Sequence, residues 1–144
     1  MSADIRRIDD RISVAPQIDP EDLAGIASAG FVAIINNRPD GEETGQPAGD
    51  AIRTAAEAAG LRYTAIPVSS GFSHAQIDAM AAALSQADGP VLAFCRSGTR
   101  SCNLWALAAA KAGGAPDELI EKGAGAGYNL GGICPLLDQL SGQA

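Results

Sequence analysis

The fold is decided by the stretch Val91-Leu92-Ala93-Phe94-Cys95-Arg96-Ser97-Gly98-Thr99-Arg100-Ser101. Its first four residues are apolar, as in a buried strand, and a helical pattern runs from Ser101 to about residue 112. The glycine-containing turn between them would gather backbone N–H groups at a helix N-terminus, a favourable place for an anion. With Arg96 and Arg100 beside it, Cys95 is predicted to be a thiolate nucleophile for a phosphorus or sulfur centre.

Short β-branched apolar runs alternate with amphipathic helical stretches along the rest of the chain. This alternation predicts one three-layer α/β domain over residues 1–144, with a mainly parallel sheet of about four to five strands flanked by helices. Strands are expected at residues 12–15, 31–35, 61–68 and 91–94, and helices are expected to begin near Asp19, Asp50, Ser73 and Ser101. The loops after these strands should meet at the carboxyl edge of the sheet, where sites in such folds lie.

The glycine-rich segment 123–127 could suggest a dinucleotide-binding turn. It follows no strand and opens no strand–turn–helix unit, which the dinucleotide motif requires. We therefore predict a loop between two late helices.

Composition restricts the possible functions. The net charge of −7 argues against nucleic acid and anionic membranes as partners. Three cysteines without paired spacing do not resemble a disulfide framework, and no signal peptide or membrane-spanning apolar run is visible. The chain is long enough to fold around its own core, so we expect a cytoplasmic enzyme without a metal or other cofactor.

Catalytic and substrate-binding roles are predicted first for the residues of the Cys95 turn. The planar fork of Arg100 suits an oxyanion, and a cation at a helix start would need an anion to compensate it. The remaining candidates for substrate binding are Arg96, Ser97, Gly98, Thr99 and Ser101. Two of these have alternatives: Arg96 could point to solvent, and Ser101 could cap the helix.

Outside the turn, candidates lie on the two neighbouring loops. Asp40 is a candidate general acid and Arg38 an additional anion ligand, and the loop that carries them also brings Glu42 and Glu43 toward Cys95. His74 is a second catalytic candidate. The alternatives are an ordinary Asp-Gly turn at Asp40 and a surface position for His74.

The other two cysteines and the tryptophan have less specific roles. Cys102 is interpreted as a packed thiol on a helix face, with a resolving thiol as the alternative, and Cys134 as structural. Trp105 is predicted to lie in the core.

Three segments, 14–18, 35–42 and 95–101, together resemble the bacterial beta-lactamase hydrolase-like protein, phosphatase-like domain family. The resemblance extends from about Ile12 to Tyr128. It implies a fold similar to the dual-specificity and tyrosine phosphatases, and a domain that is sometimes fused to a metallo-β-lactamase-type persulfide dioxygenase. The single histidine of this chain cannot supply that metal site, so a dioxygenase partner would act in trans.

Two departures from the phosphatase pattern favour different chemistry. Four residues separate Cys95 from Arg100, as in the rhodanese loop, whereas the phosphatase loop has five. In addition, segment 67–74 has no carboxylate where those phosphatases carry their general acid. Hydrolysis of a phosphate monoester benefits from such an acid, whereas sulfite leaves thiosulfate without a proton.

The leading hypothesis from the sequence is therefore a rhodanese-like sulfurtransferase. Cys95 would take sulfane sulfur from a small anionic donor, thiosulfate or polysulfide, and pass it as a persulfide to a thiol acceptor such as glutathione. The alternatives are a phosphatase that forms a Cys95 phosphocysteine on a phosphorylated substrate, and a non-catalytic module that binds oxyanions or phosphoproteins. Thiol redox chemistry through Cys102 is a weaker alternative.

Overall fold

Residues 91–94 form the central strand of the sheet, as their apolar character predicts. In the computed structural model, which describes residues 3–142, five strands are arranged in the order β1-β2-β5-β3-β4. They are β1 (Arg6–Arg7), β2 (Ile12–Ala15), β3 (Ala33–Asn36), β4 (Arg62–Ala65) and β5 (Val91–Phe94). Strand β5 pairs in parallel with β2 and β3, β4 pairs in parallel with β3, and β1 is antiparallel to β2. The predicted mainly parallel sheet is confirmed.

Six α-helices accompany the sheet within the described residues. They are α1 (Leu23–Ser28), α2 (Gly49–Ala58), α3 (His74–Gln86), α4 (Thr99–Lys111), α5 (Pro116–Gly125) and α6 (Cys134–Ser141), and short 3-10 turns at Pro20–Asp22 and Gly131–Ile133 precede α1 and α6. None of these helices is long and apolar enough to cross a membrane.

The alternation of side chains along each strand divides the core into two layers. Ile34, Leu92 and Phe94 pack with α1 and α2, whereas Ile35, Val91 and Ala93 pack with the helices on the other face. Trp105 is buried in this second layer, as predicted. Both faces of the central strands are thus covered, which explains their continuous apolar sequence.

The predicted helix starts agree well with the structure, and the capping box of α3 is present. Ser73 Oγ accepts a hydrogen bond of 3.1 Å from Gln76 N, and Gln76 Oε1 accepts one of 2.8 Å from Ser73 N. Helix α4 begins at Thr99, two residues earlier than expected, because Gly98 already accepts the first helical hydrogen bond from Cys102 N.

The predicted loop at 123–127 is wrong in part, because α5 continues to Gly125. A side chain at Gly123 would place its Cβ 2.6 Å from Leu130 Cδ1, so this glycine allows close packing inside a helix. The turn that follows the helix is made by Gly127, which has φ +97°. Gly127 N donates to Ala124 O, and Tyr128 N donates to Gly123 O at 2.9 Å, which is the Schellman arrangement.

Candidate active site

Cys95 follows β5 directly and is fully buried at the carboxyl edge of the sheet. Its own N–H donates to Ala15 O at 3.3 Å, which continues the pairing with β2. Its sulfur accepts a hydrogen bond of 3.1 Å from Gly98 N. The turn therefore curls back on the thiol, and an amide dipole points at the predicted nucleophile.

The backbone of the turn offers several further donors. The amides of Arg96, Ser97, Arg100 and Ser101 have no hydrogen-bond acceptor among the described residues. Two of them lie in the first turn of α4, ahead of the first helical hydrogen bond, where amides point out from the helix N-terminus. Such a group of donors can bind the oxygens of an anion.

Arg100 is held in place by hydrogen bonds from the two terminal nitrogens of its guanidinium group, Nη1 and Nη2. Nη1 donates to Glu42 Oε2 at 2.7 Å and to Val68 O at 2.7 Å, while Nη2 donates to Glu42 Oε1 at 2.8 Å. The hydrogen bonds to Glu42 raise the pKa of Arg100, and the nearby Cys95 contributes in the same direction. Nε makes no hydrogen bond within the described residues, so the other edge of the fork remains available to an anion bound at Cys95.

Glu42 is the partner that fixes this geometry. The sequence indicated that its loop approaches Cys95, and the structure confirms the approach; pairing with Arg100 was not predicted. The carboxylate also accepts a hydrogen bond of 2.9 Å from Arg38 Nε. These bonds, above all those from Arg100, lower the pKa of Glu42 to about 2. Glu42 is therefore ionised at neutral pH and cannot serve as the proton donor of a hydrolase.

Arg38 was predicted as an anion ligand, and the structure places it as a buried brace. Each of its three side-chain nitrogens donates to a protein oxygen: Nε to Glu42, Nη1 to Gln17 and Nη2 to Glu43. Glu43 also approaches the exposed Arg96 at 3.5 Å. An alternating series of charges thus joins both arginines of the Cys95 turn to the loop after β3.

The hydroxyl groups of the turn already have hydrogen-bond partners within the protein. Ser97 Oγ donates to Thr99 Oγ1 at 3.0 Å. Ser101 Oγ is 2.7 Å from Asn37 Oδ1, and it must be the donor because the amide nitrogen of Asn37 donates to Ile66 O. The hydroxyl hydrogen of Ser101 thus ties α4 to the residue that follows β3, and the predicted role of Ser101 in substrate binding would fall to its backbone amide.

The two other catalytic candidates, Asp40 and His74, have no contact with the thiol among the hydrogen bonds of the described residues. Asp40 Oδ1 accepts a hydrogen bond of 2.7 Å from Gly49 N, which anchors the loop to the start of α2. His74 is the exposed first residue of α3 and has no hydrogen-bond partner among the described residues. Neither makes a hydrogen bond to Cys95 or Arg100, and their roles in catalysis remain predictions.

The cysteine of α4 fits the interpretation as a packed thiol. Cys102 is fully buried, and this burial, together with the nearby Cys95, raises its pKa to about 12. The thiol is thus protonated at neutral pH and poorly suited to redox exchange. Cys134 is half-buried at the start of α6 and unpaired among the described cysteines.

Tyr128 is a site residue that the sequence did not single out. Its hydroxyl donates to Ser97 O at 3.0 Å. A Cβ at Gly98, whose φ is +92°, would come within 2.1 Å of this hydroxyl, so only glycine fits there. The sequence offers only a weak signal for this contact. Gly98 lies in the turn, and Tyr128 directly follows Gly127, but nothing local links the two positions.

Comparison with known proteins places this site in a family. Residues 4–112 match the model of the family described as beta-lactamase hydrolase-like protein, phosphatase-like domain. The beta-lactamase hydrolase-like protein of Agrobacterium fabrum is 43% identical over 102 residues, which are 70% of this chain and 24% of that protein. The chain spans about a quarter of the length of the curated relatives it matches.

Solved structures agree on the architecture. A candidate phosphatase from Neisseria meningitidis is 35% identical, with a TM-score of 0.83 over 94% of this chain and 97% of that one. Tk-PTP in its active form is 18% identical, with a TM-score of 0.72 over 97% of each chain, and shows the fold alone. The family description and the likeness to the Neisseria meningitidis structure favour the phosphatase alternative over the sulfurtransferase hypothesis. On the sequence match and the shared fold, the chain belongs to the family of phosphatase-like domains of beta-lactamase hydrolase-like proteins.

Proposed function

We propose that the chain is a cysteine-dependent phosphatase-type hydrolase acting on phosphate monoesters. The observation that carries the proposal is the arrangement around Cys95 Sγ. Gly98 N donates to the sulfur. Within residues 3–142, further amides of the turn have no acceptor, and Arg100 Nε makes no hydrogen bond. The family and the phosphatases that share its fold support this reading.

The reaction would proceed in two displacements at phosphorus. The Cys95 thiolate attacks, the S–P bond forms, and the P–O bond breaks with its electron pair on the leaving oxygen. Water then attacks the phosphocysteine, the S–P bond breaks, and inorganic phosphate and a proton are released as the thiolate returns. The turn amides and Arg100 would stabilise the charge on the phosphoryl oxygens in both steps.

The leaving group decides which monoesters would react well. The two carboxylates brought to the Cys95 turn, Glu42 and Glu43, are both ion-paired, and Glu42 has a pKa of about 2. Without a proton from them, the leaving oxygen departs as an anion. We therefore propose a preference for aryl over alkyl phosphates, since general acid catalysis is worth about 10²–10⁴-fold for a poor leaving group.

The test compares p-nitrophenyl phosphate with phenyl phosphate and an alkyl phosphate, in the wild type and in Cys95→Ser. We expect phosphate release that falls steeply along this series and is lost in the variant, with an acid-trapped phosphoryl group on Cys95 in the wild type. Undiminished turnover in Cys95→Ser, or none in the wild type, would contradict the proposal.

Sulfur transfer remains a second candidate because of the four-residue spacing between Cys95 and Arg100 and the ion-paired carboxylates. The thiolate would attack the outer sulfur of thiosulfate, forming an S–S bond as sulfite leaves with its electron pair. An acceptor thiolate would then attack the outer sulfur and release the Cys95 thiolate. A persulfide dioxygenase in trans would be a suitable consumer of the product.

Intact mass after incubation with thiosulfate separates the candidates. A cyanide-labile gain of one sulfur atom on Cys95, without phosphate release from any ester, would favour sulfur transfer. Phosphate release without the sulfur adduct would favour the hydrolase. Tight binding of phosphate with neither reaction would indicate a binding module.

A further inference from the structure

One peptide group of the active-site turn is held from both ends. In the Ser97–Gly98 peptide, the carbonyl oxygen accepts a hydrogen bond of 3.0 Å from the Tyr128 hydroxyl. The N–H of the same peptide donates to Cys95 Sγ at 3.1 Å. Because C=O and N–H point in opposite directions in a trans peptide, the first bond fixes the direction of the second.

This peptide would otherwise have freedom to rotate. Gly98 sits at φ +92°, in the left-handed region, and glycine populates conformations of either sign of φ at little cost. A rotated peptide would turn its carbonyl oxygen toward the sulfur. That oxygen would repel both a thiolate and an incoming anion, so the orientation of one peptide decides whether the turn favours the reactive form of Cys95.

The position of Tyr128 is itself well determined. It follows Gly127 in the Schellman arrangement at the end of α5, and its side chain is buried. Its ring lies beneath the guanidinium of Arg6, at 5.4 Å from Cζ to the ring centroid. Burial raises the pKa of Tyr128, which keeps the hydroxyl protonated and able to donate. The residue lies outside the segment 4–112 that matches the family.

We propose that Tyr128 is a positioning residue for Cys95, which it controls by holding the Ser97–Gly98 peptide with its N–H on the sulfur. Tyr128 acts on the nucleophile before any substrate is bound. The inference therefore rests on the nucleophilic role of Cys95 in the proposed function and applies equally to phosphoryl and sulfur transfer.

The test uses Tyr128→Phe, which keeps the ring and removes the hydroxyl. We measure the rate of alkylation of Cys95 by iodoacetamide as a function of pH, with peptide mass mapping to separate it from the other cysteines. At neutral pH the rate should fall about threefold to tenfold, because a hydrogen bond to the charged sulfur is weakened. At high pH the two proteins should reach the same limiting rate, since access to the sulfur is unchanged. The amide resonance of Gly98 should also shift in the variant.

Tyr63→Phe is the matched control, because Tyr63 is the other tyrosine of the chain and its hydroxyl accepts a hydrogen bond from Asn36 away from the turn. We expect wild-type alkylation in this variant, and thermal unfolding of both variants shows that they are folded. Wild-type alkylation and an unmoved Gly98 resonance in Tyr128→Phe would overturn the proposal, as would an equal loss in Tyr63→Phe. Alkylation needs no substrate, so this result is independent of whether phosphatase activity is found.

Discussion

The loops after β3 and β4 both border Cys95, yet they contribute in different ways. The loop of residues 37–48 carries the charged groups, with Glu42 on Arg100, Glu43 on Arg96, and the buried Arg38 behind them. The loop of residues 66–73 meets Arg100 through a backbone oxygen, Val68 O, and has no acidic or basic side chain. The first loop thus holds Arg100 in place through the Glu42 carboxylate, whereas the second loop contributes the backbone carbonyl oxygen of Val68.

The difference teaches how binding and proton transfer are separated here. A carboxylate that fixes an arginine must be ionised, and Glu42, with its pKa lowered to about 2 chiefly by its hydrogen bonds to Arg100, is ionised at neutral pH. The other loop offers no carboxylic acid to donate a proton, since residues 66–73 contain no Asp or Glu, and Asp40 of the first loop stays the predicted candidate. The comparison predicts that substitutions in the first loop, or of the Arg100 that it holds, reduce activity strongly. Substitutions on the side of the second loop should reduce activity only weakly.

The largest effect should follow from Arg100→Lys. Lysine keeps the charge but cannot use one edge of a planar fork for Glu42 and the other for an anion. We expect kcat/KM for p-nitrophenyl phosphate to fall about 10²–10³-fold, as when a preorganised donor to the transition state is removed. Steady-state kinetics measure this, and phosphate binding by calorimetry should weaken in parallel. A lysine variant with near wild-type kinetics would show that the fork is not needed.

Local signals in the sequence were sufficient for much of this fold. The apolar run of β5, the capping box at Ser73, and a cysteine placed between a strand and a helix depend on residues close together in the chain. Periodicity and turn chemistry report such short-range structure directly. The carboxyl edge of a parallel sheet then indicated where the site would lie.

The contacts that shape the site could not be obtained in this way. Glu42 and Arg100 are 58 positions apart, and Ser97 and Tyr128 are 31 apart. A single Glu in a polar loop has no local pattern that identifies its partner. The burial of Arg38 is hard to predict for the same reason. Its partners come from two separate segments of the chain, Gln17 and the pair Glu42 and Glu43. The sequence therefore predicts an anion ligand at Arg38, and the structure shows its side chain buried with all three nitrogens bonded to protein oxygens.

A smaller effect is expected from Glu42→Gln, which tests the first loop itself. The amide keeps one acceptor for two arginines, so we expect about tenfold lower kcat/KM and a loss of about 1–2 kcal/mol in unfolding free energy at pH 7. Because the pKa of Glu42 is lowered in the folded state, its stabilisation is full above about pH 4.5 and is lost as the pH falls toward about 2. The wild type and the variant should therefore converge in stability in acid, as measured by urea unfolding at several pH values.

Glu43→Gln is the matched comparison for Glu42→Gln. Glu43 is half-exposed and pairs with Arg38 and with the exposed Arg96, and it does not touch Arg100. Its substitution should have a clearly smaller effect on both kinetics and stability, because the Glu43 carboxylate is half-exposed and the glutamine oxygen can still accept the hydrogen bond from Arg38. Equal losses in the two variants would mean that the loop stabilises the site as a whole and that the pairing with Arg100 has no special role.

The smallest effect should come from His74→Ala, on the side of the second loop. The histidine is exposed at the start of α3 and has no hydrogen-bond partner among the described residues, so we expect less than about a twofold change in kcat for p-nitrophenyl phosphate. A histidine that donates a proton to the leaving group would give a different result, since its loss would cost about 10²-fold or more for phenyl phosphate and remove one limb of the pH–rate profile. Such a loss would mean that the loop after β4 moves toward Cys95 when substrate binds. It would place the proton donor on the side of the site where residues 66–73 supply no carboxylate.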